Sequence, residues 1–310
     1  MVALIKTDNQ NMSLEYIKAE TEFIALINCD DLDGMVLADP HIVENFNENI
    51  HSALKKSLDD DDESASLFVQ RCLYKINRLK LFWDDDLKNY SNENSRFLFD
   101  IHSDIESKWS AWEEKQIVID RPTDVARALC ERAQEDLEPE LSDDGRYIRD
   151  YVSDTGYRRL LAIASLDGLV EASQLSRVLG GASSEVQVML TRILWEEYGS
   201  GKLERKHSTY FAAMLDGMGL DSRPEAYFDL VPWEVLANIN HSFMVSEQKR
   251  KYLRYIGGLL YIEVSVPASF TNIKLAGERL GLSPEAISYW DLHIKEDIRH
   301  GQWMLDDVAL

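Results

Sequence analysis

The chain has 310 residues, 45% of them apolar and 28% charged, enough for one large globular domain or two modest ones and too apolar for a disordered chain. Lys and Arg number 33 against 55 Asp and Glu, a formal net charge of −22, and so acidic a surface disfavours nucleic acid and membranes as partners. No apolar run nears the ~18–20 residues of a membrane span, the N-terminus lacks the apolar core of a signal peptide, and Cys29, Cys72 and Cys130 are too scattered for a disulfide framework or a zinc knuckle, which together point to the cytoplasm.

Helical periodicity runs through most of the chain and predicts an all-α fold, a helical bundle with an N-terminal helical region. The best strand candidate, Gln116 to Ile119, is too short for a sheet. Asp39-Pro40 and Ser283-Pro284-Glu285 each set a capping side chain before a proline at the first helical position. The acidic stretch Leu58 to Ser64, with Asp59 to Asp62 in a row, reads as a solvated loop between two N-terminal helices. It lacks the spaced ligands and glycine of a calcium loop. A break near Asp120-Arg121-Pro122-Thr123 divides an N-terminal helical region, 1–120, from a C-terminal helical domain, 121–310. Gly180-Gly181 and Gly199-Ser200-Gly201 predict helix stops.

The last helix carries the strongest chemical signal. Ala286, Trp290, His293, Asp297, His300 and Met304 follow one another by steps of 4, 3, 4, 3 and 4, the stripe by which a helix faces a core. Its middle is two imidazoles and a carboxylate, within about 60° of one another around the axis. Groups of this kind are costly to bury unless each finds a partner, so either this part of the stripe reaches solvent or something cationic stands opposite it. The same anomaly recurs upstream. Glu197 continues the apolar face of Leu190, Ile193 and Leu194, whereas Glu196 follows Arg192 on the wetter side. Glu204-x-x-His207 feeds into the stripe of Tyr210, Phe211 and Met214, and Glu171 aligns with Leu175 and Val178 by steps of 4 and 7 as on a helix.

Carboxylates and imidazoles without a cysteine favour iron, manganese or catalytic zinc over structural zinc. Di-iron carboxylate bundles use a lone Glu from each of two helices and a Glu-x-x-His from each of two others. Glu171 and Glu197 fit the lone positions, and Glu204-x-x-His207 and Asp297-x-x-His300 the pairs, with His293 added. Four carboxylates neutralise two divalent ions. Any one of these elements alone is commonly a surface pair or a salt bridge; it is the set that points to metal.

Leu194-Trp195-Glu196-Glu197-Tyr198-Gly199-Ser200-Gly201, then Glu204, His207-Ser208 and Met218-Gly219-Leu220, resembles the iron-containing redox enzymes with a haem-oxygenase-like fold. The segment Gly257 to Glu263 and the closing His293-x3-Asp297-x2-His300 extend the resemblance from near Tyr157 to the C-terminus. It implies a non-haem di-iron centre with two Fe(II) per chain and O2 as cosubstrate. By resemblance Glu171 is the first glutamate ligand, Glu197 the carboxylate touching both irons, and Glu204 the extra carboxylate of the N-oxygenating members. One iron then takes Glu171, His207 and His300, and the other Glu204, His293 and Asp297. No histidine matches the haem ligand of haem oxygenases proper, so no haem is expected. Members of the family usually run further past the final histidine than this sequence, which leaves a closing helix unaccounted for. Some N-oxygenating members carry a helical dimerisation segment, which makes 1–120 a candidate for one and a homodimer an expectation.

The resemblance implies an O2-dependent oxygenase acting on a small nitrogen-containing substrate, an amino acid or derivative, by N-oxygenation in a biosynthetic pathway. Oxidative C–C cleavage or decarboxylation of an amino or fatty acid starts from the same ligands and stands as the rival chemistry. A non-catalytic helical interaction protein with a structural metal site is the rival from another class. Arg254 and Glu263 are candidates to orient a charged substrate. A salt-bridged helix surface is the plainer reading, favoured for Arg254 and evenly balanced for Glu263, whose neighbours are apolar.

Overall fold

The structure, a computed structural model, describes residues 12–81, 87–118, 121–181 and 184–310. The extreme N-terminus read above for a leader, and Ile119 and Asp120, lie outside the described residues. These residues form thirteen α-helices joined by short 3-10 turns, and the β-type pairing among them is a single antiparallel bridge, Tyr198 to Lys206. The all-α expectation holds. No described helix is long and apolar enough to cross a membrane.

Contacts divide the chain into two units, Lys6–Ile119 with Asp229–Met244, and Asp120–Phe228 with Val245–Leu310. The first begins with α1 (Leu14–Ile27), capped by Ser13, and α2 (Leu32–Ala38), capped by Asp31. It continues through α3 (Glu44–Asp59), α4 (Glu63–Asn77) and α5 (Arg96–Gln116). Asp39-Pro40 opens a 3-10 turn, Pro40–Val43, that leads into α3. The acidic run is shorter as a loop than expected: Asp59 closes α3, and Asp62 caps α4 by accepting from the amide of Ala65. Burial of Tyr16, Phe23, Phe46 and Phe68 builds the core, with Phe23 stacked on Phe46 and Tyr16 on Phe68. Glu20 and Arg71 are buried among these rings as a 2.7 Å ion pair, and Arg71 also donates to Asp229. Asn240 donates to the Gln70 carbonyl and accepts from Asn77, which ties residues 229–244 to this unit although they lie within the 121–310 half of the sequence.

The second unit contains α6 (Val125–Leu137), α7 (Asp143–Tyr151), α8 (Asp154–Gly168), α9 (Glu185–Glu197) and α10 (His207–Gly217). Trp233–Glu247 forms α11, whose residues up to Met244 belong to the first unit, and the long α12 (Tyr252–Arg279) and α13 (Pro284–Trp303) complete the second before a π-helical turn at Met304–Ala309. Ser283 caps α13 with Pro284 at its first position, as the sequence predicts. Its core joins Tyr157 and Leu161 of α8, Phe211, Met214 and Leu215 of α10, and Ile287, Tyr289 and Trp290 of α13. The Trp290 indole donates to the Tyr157 hydroxyl at 2.9 Å, which satisfies both polar atoms inside that core.

Removing one partner of a buried ion pair strands the other charge, a loss of about 3–5 kcal/mol. Arg71→Ala is therefore expected to lower the urea midpoint of unfolding by an amount equivalent to about 3 kcal/mol or more.

Candidate metal centre

Ser184 caps α9, and Leu190 and Ile193 bury its inner face, so the last residue, Glu197, enters the interior on the same stripe. The chain then has to reverse within a few residues. Gly199 makes this possible with φ of 64°, and a Cβ there would stand 2.5 Å from the Arg205 carbonyl carbon and the Lys206 nitrogen. The Tyr198–Lys206 bridge closes the excursion and delivers His207 as the first residue of α10. Glu204 sits on the outer side of this loop, exposed in the 3-10 turn Leu203–Arg205.

The stripe on α13 is buried along its whole length, from Ala286 to Met304. Glu263 reaches it from α12, on a stripe of its own with Leu260, Val264 and Pro267. Gly301 sets how close the two helices cross, since a Cβ there would lie 3.0 Å from Val264 and 3.2 Å from the Glu263 carbonyl oxygen. Glu171 comes from a turn between α8 and the 3-10 segment Ser173–Val178, not from the helix its spacing suggests. Ala172, in the left-handed region with φ of 61°, reverses the chain beside it.

These elements converge on one buried cluster, in which Glu197 is 7% exposed, Glu263 6%, Asp297 4%, His207 and His293 3%, and His300 0%. Glu197 stands at its middle, with Oε2 2.8 Å from His207 Nδ1 and Oε1 3.3 Å from His300 Nδ1. On one side His207 Nδ1 lies 3.1 Å from His293 Nε2, which in turn lies 2.9 Å from Glu171 Oε1. His293 Nδ1 donates to the Tyr289 carbonyl at 2.9 Å, leaving Nε2 to face the cluster, and the Tyr289 hydroxyl donates to Glu171 Oε1 at 2.8 Å. On the other side His300 Nδ1 faces Glu263 Oε2 at 3.5 Å and Asp297 Oδ1 at 4.0 Å. Two sets of donor atoms result, each within 4.8 Å: Glu171, Glu197, His207 and His293, and Glu197, Glu263 and His300.

The pairing of donors differs from the one the resemblance implies. His293 stands with Glu171 and His207, and His300 with Glu263 and Asp297. Glu204 is in neither set, and the second side has Glu263 instead. The Glu204-x-x-His207 spacing would put both residues on one face only if the segment were α-helical, and it is a 3-10 turn ahead of the helix. Arg254 is exposed near the start of α12, outside both sets. Glu263 is the residue whose role the sequence left most open. Its signal was its place in the Leu260, Val264 and Pro267 stripe, the pattern that singled out Asp297.

Protonation reflects the crowding of carboxylates. Burial alone would push His293 down, yet Glu171, Asp297 and Glu197 raise it to about 10. His300 is raised against its burial to about 11 by Glu197 and Glu263. Burial raises Glu263 and Asp297, with neighbouring carboxylates adding to the effect, whereas in Glu197 the facing imidazoles of His207 and His300 outweigh burial and hold the carboxyl down. Two buried atoms find no hydrogen-bond partner, His300 Nδ1 on one side and Glu171 Oε2 on the other. Atoms of this kind, one per side and set among four carboxylates, fit two divalent cations once the imidazole gives up its proton.

Residues 158–310 match the family described as iron-containing redox enzymes. Over 143 residues, 46% of the chain, the sequence is also 29% identical to the nitrosourea synthase of Streptomyces achromogenes subsp. streptozoticus. The matched stretch spans 30% of that relative's length.

A cation needs neutral imidazole, so at neutral pH each ion that binds must expel the proton held by His293 or His300. Metal titration in buffers of different ionisation enthalpy is expected to show net proton release, and affinity for Fe(II) is expected to rise with pH between 6 and 8, about the range in which protein metal sites are studied. Amide hydrogen exchange across 289–300 is expected to slow on loading, because metal-binding free energy becomes local folding free energy.

Proposed function

We propose that the chain is an O2-dependent non-haem di-iron oxygenase acting on a small nitrogen-containing substrate, an amino acid or derivative, at its nitrogen. The match of residues 158–310 to the iron-containing redox enzymes supports the iron and the redox chemistry. The observation that carries the di-iron reading is the placement of Glu197, whose two oxygens face two different donor sets. The nitrogen chemistry named in the nitrosourea synthase supports the class of substrate.

In this reading Glu171, His207 and His293 hold one ion, Glu263, Asp297 and His300 hold the other, and Glu197 lies between them. When bound, two ferrous ions supply electrons for the reduction of O2. The chain's own residues prepare for this. Carboxylates and imidazoles are kept out of water by Phe270, edge-on against His293, and Tyr289, tilted against it, with Phe211 and Trp290 packed edge-on against the Tyr289 ring. Tyr289 keeps its hydroxyl proton directed at Glu171 Oε1, because burial and the nearby carboxylate push its pKa well above the ordinary tyrosine value. The tyrosine thereby fixes which oxygen of Glu171 is left free for an ion.

The test is anaerobic Fe(II) loading followed by O2 uptake with panels of amino acids, amines and fatty acids. The expected outcome is two irons per chain, O2 uptake stimulated by an amino acid or amine, and a product oxygenated at nitrogen. His300→Ala is expected to retain one iron and to lose that uptake. A parent protein that holds no more than one iron would overturn the reading, and release of CO2 from a fatty acid would replace its substrate class.

A further inference from the structure

Glu196, the neighbour of Glu197 on α9, lies outside the two donor sets, yet its carboxylate is fixed at the back of one of the histidines. Its Oε2 is 3.0 Å from His300 Nε2, and the same oxygen accepts from Arg299 Nη2 at 2.6 Å. Arg192 approaches the other oxygen at 3.9 Å. Both guanidinium groups lie over the ring of Trp303, Arg192 at 3.8 Å and Arg299 at 5.1 Å from its centroid, and that ring is 5.6 Å from the imidazole of His300. The carboxylate is thus held in place by two cations that are themselves seated on an indole. Glu196, Glu296 and His300 also bring donor atoms within 4.8 Å of one another. A cation already serves that trio, because Arg299 donates to both Glu196 and Glu296.

The tautomer of His300 follows from this contact. A carboxylate can only accept, so Nε2 keeps its hydrogen, and Nδ1 is the nitrogen that becomes bare when the imidazolium gives up a proton. Nδ1 is the buried atom without a hydrogen-bond partner, and it faces Glu197, Glu263 and Asp297. His293 is oriented differently, by donation to the neutral carbonyl of Tyr289. One imidazole is backed by an anion and the other by an amide carbonyl, and an anionic acceptor makes the imidazole the stronger electron donor.

We propose that Glu196 is a positioning residue of the metal centre, which fixes the tautomer and aim of His300 and makes the half-site of His300, Glu263 and Asp297 electronically distinct from that of His207 and His293. The inference rests on the di-iron reading above. Arg192, Arg299 and Trp303 act through Glu196 by holding its carboxylate against Nε2.

The experiment is anaerobic titration of the full chain with Co(II), whose visible ligand-field bands report each half-site without turnover, followed by Fe(II). The parent is expected to take up two equivalents in distinguishable phases. Glu196→Ala is expected to weaken one phase by about 10- to 100-fold and shift its bands, leaving the other phase unchanged. Glu196→Gln keeps the shape and an acceptor oxygen but not the charge, so it should fall between the two. Glu196→Asp should recover part of the affinity. Glu296→Ala removes the other partner of Arg299 without touching His300 and should leave both phases at parental values. If Glu196→Ala does not fold, the near-isosteric Gln variant carries the test alone. Parental affinities and bands in the folded Glu196 variants, or the same loss in Glu296→Ala, would overturn the inference while leaving the di-iron reading intact. A parent that takes up fewer than two equivalents would overturn both.

Discussion

A single buried carboxylate organises the second unit. Glu197 is almost wholly removed from water, and its two oxygens point to imidazoles on α10 and α13. An isolated carboxylate in that position would cost several kcal/mol in desolvation. It is tolerated because imidazoles meet it from both sides in the protein alone, and metal would do so in the proposed holoenzyme. The surrounding structure serves that meeting. The tight reversal at Gly199 returns the chain so that His207 faces one oxygen, and the close crossing at Gly301 brings Glu263 against the histidine that faces the other.

Much of this was legible in the sequence wherever the chain is a regular helix. The α13 stripe could be read in full from its spacing, and Glu197 from its continuation of the Leu190 and Ile193 face. Legibility failed where helical spacing was extended into turns. Glu171 keeps helical steps to Leu175 and Val178, yet it lies in a turn that still delivers its carboxylate to the cluster. Glu204 keeps the step of three to His207, and there the turn carries it out to solvent instead. The difference lies in tertiary reversals at Ala172 and Gly199, which local periodicity does not encode.

Which donors share a set is equally non-local. His293 and His300 stand two turns apart on one helix, and the segments opposite them, a turn for one and α12 for the other, decide that one meets Glu171 and the other Glu263. The N-terminal unit teaches the same lesson with different chemistry. Its polar interior is satisfied by Asn240 and Asp229, which come from far along the chain and which no local signal connects to Gln70, Asn77 or Arg71. In both units, several buried polar groups are met by partners distant in sequence.

Because His293, Asp297 and His300 project from one continuous rod, they can shift only in concert, and α12 braces that rod at Gly301. Glu171 is mounted otherwise, on a turn beside the left-handed Ala172, its Oε1 met by the Tyr289 hydroxyl and by His293. The assembly therefore has a stiff jaw and a compliant one. When the separation or charge of whatever it grips changes, the strain is taken up by the carboxylate on the pliable side, and the imidazoles keep their bearing.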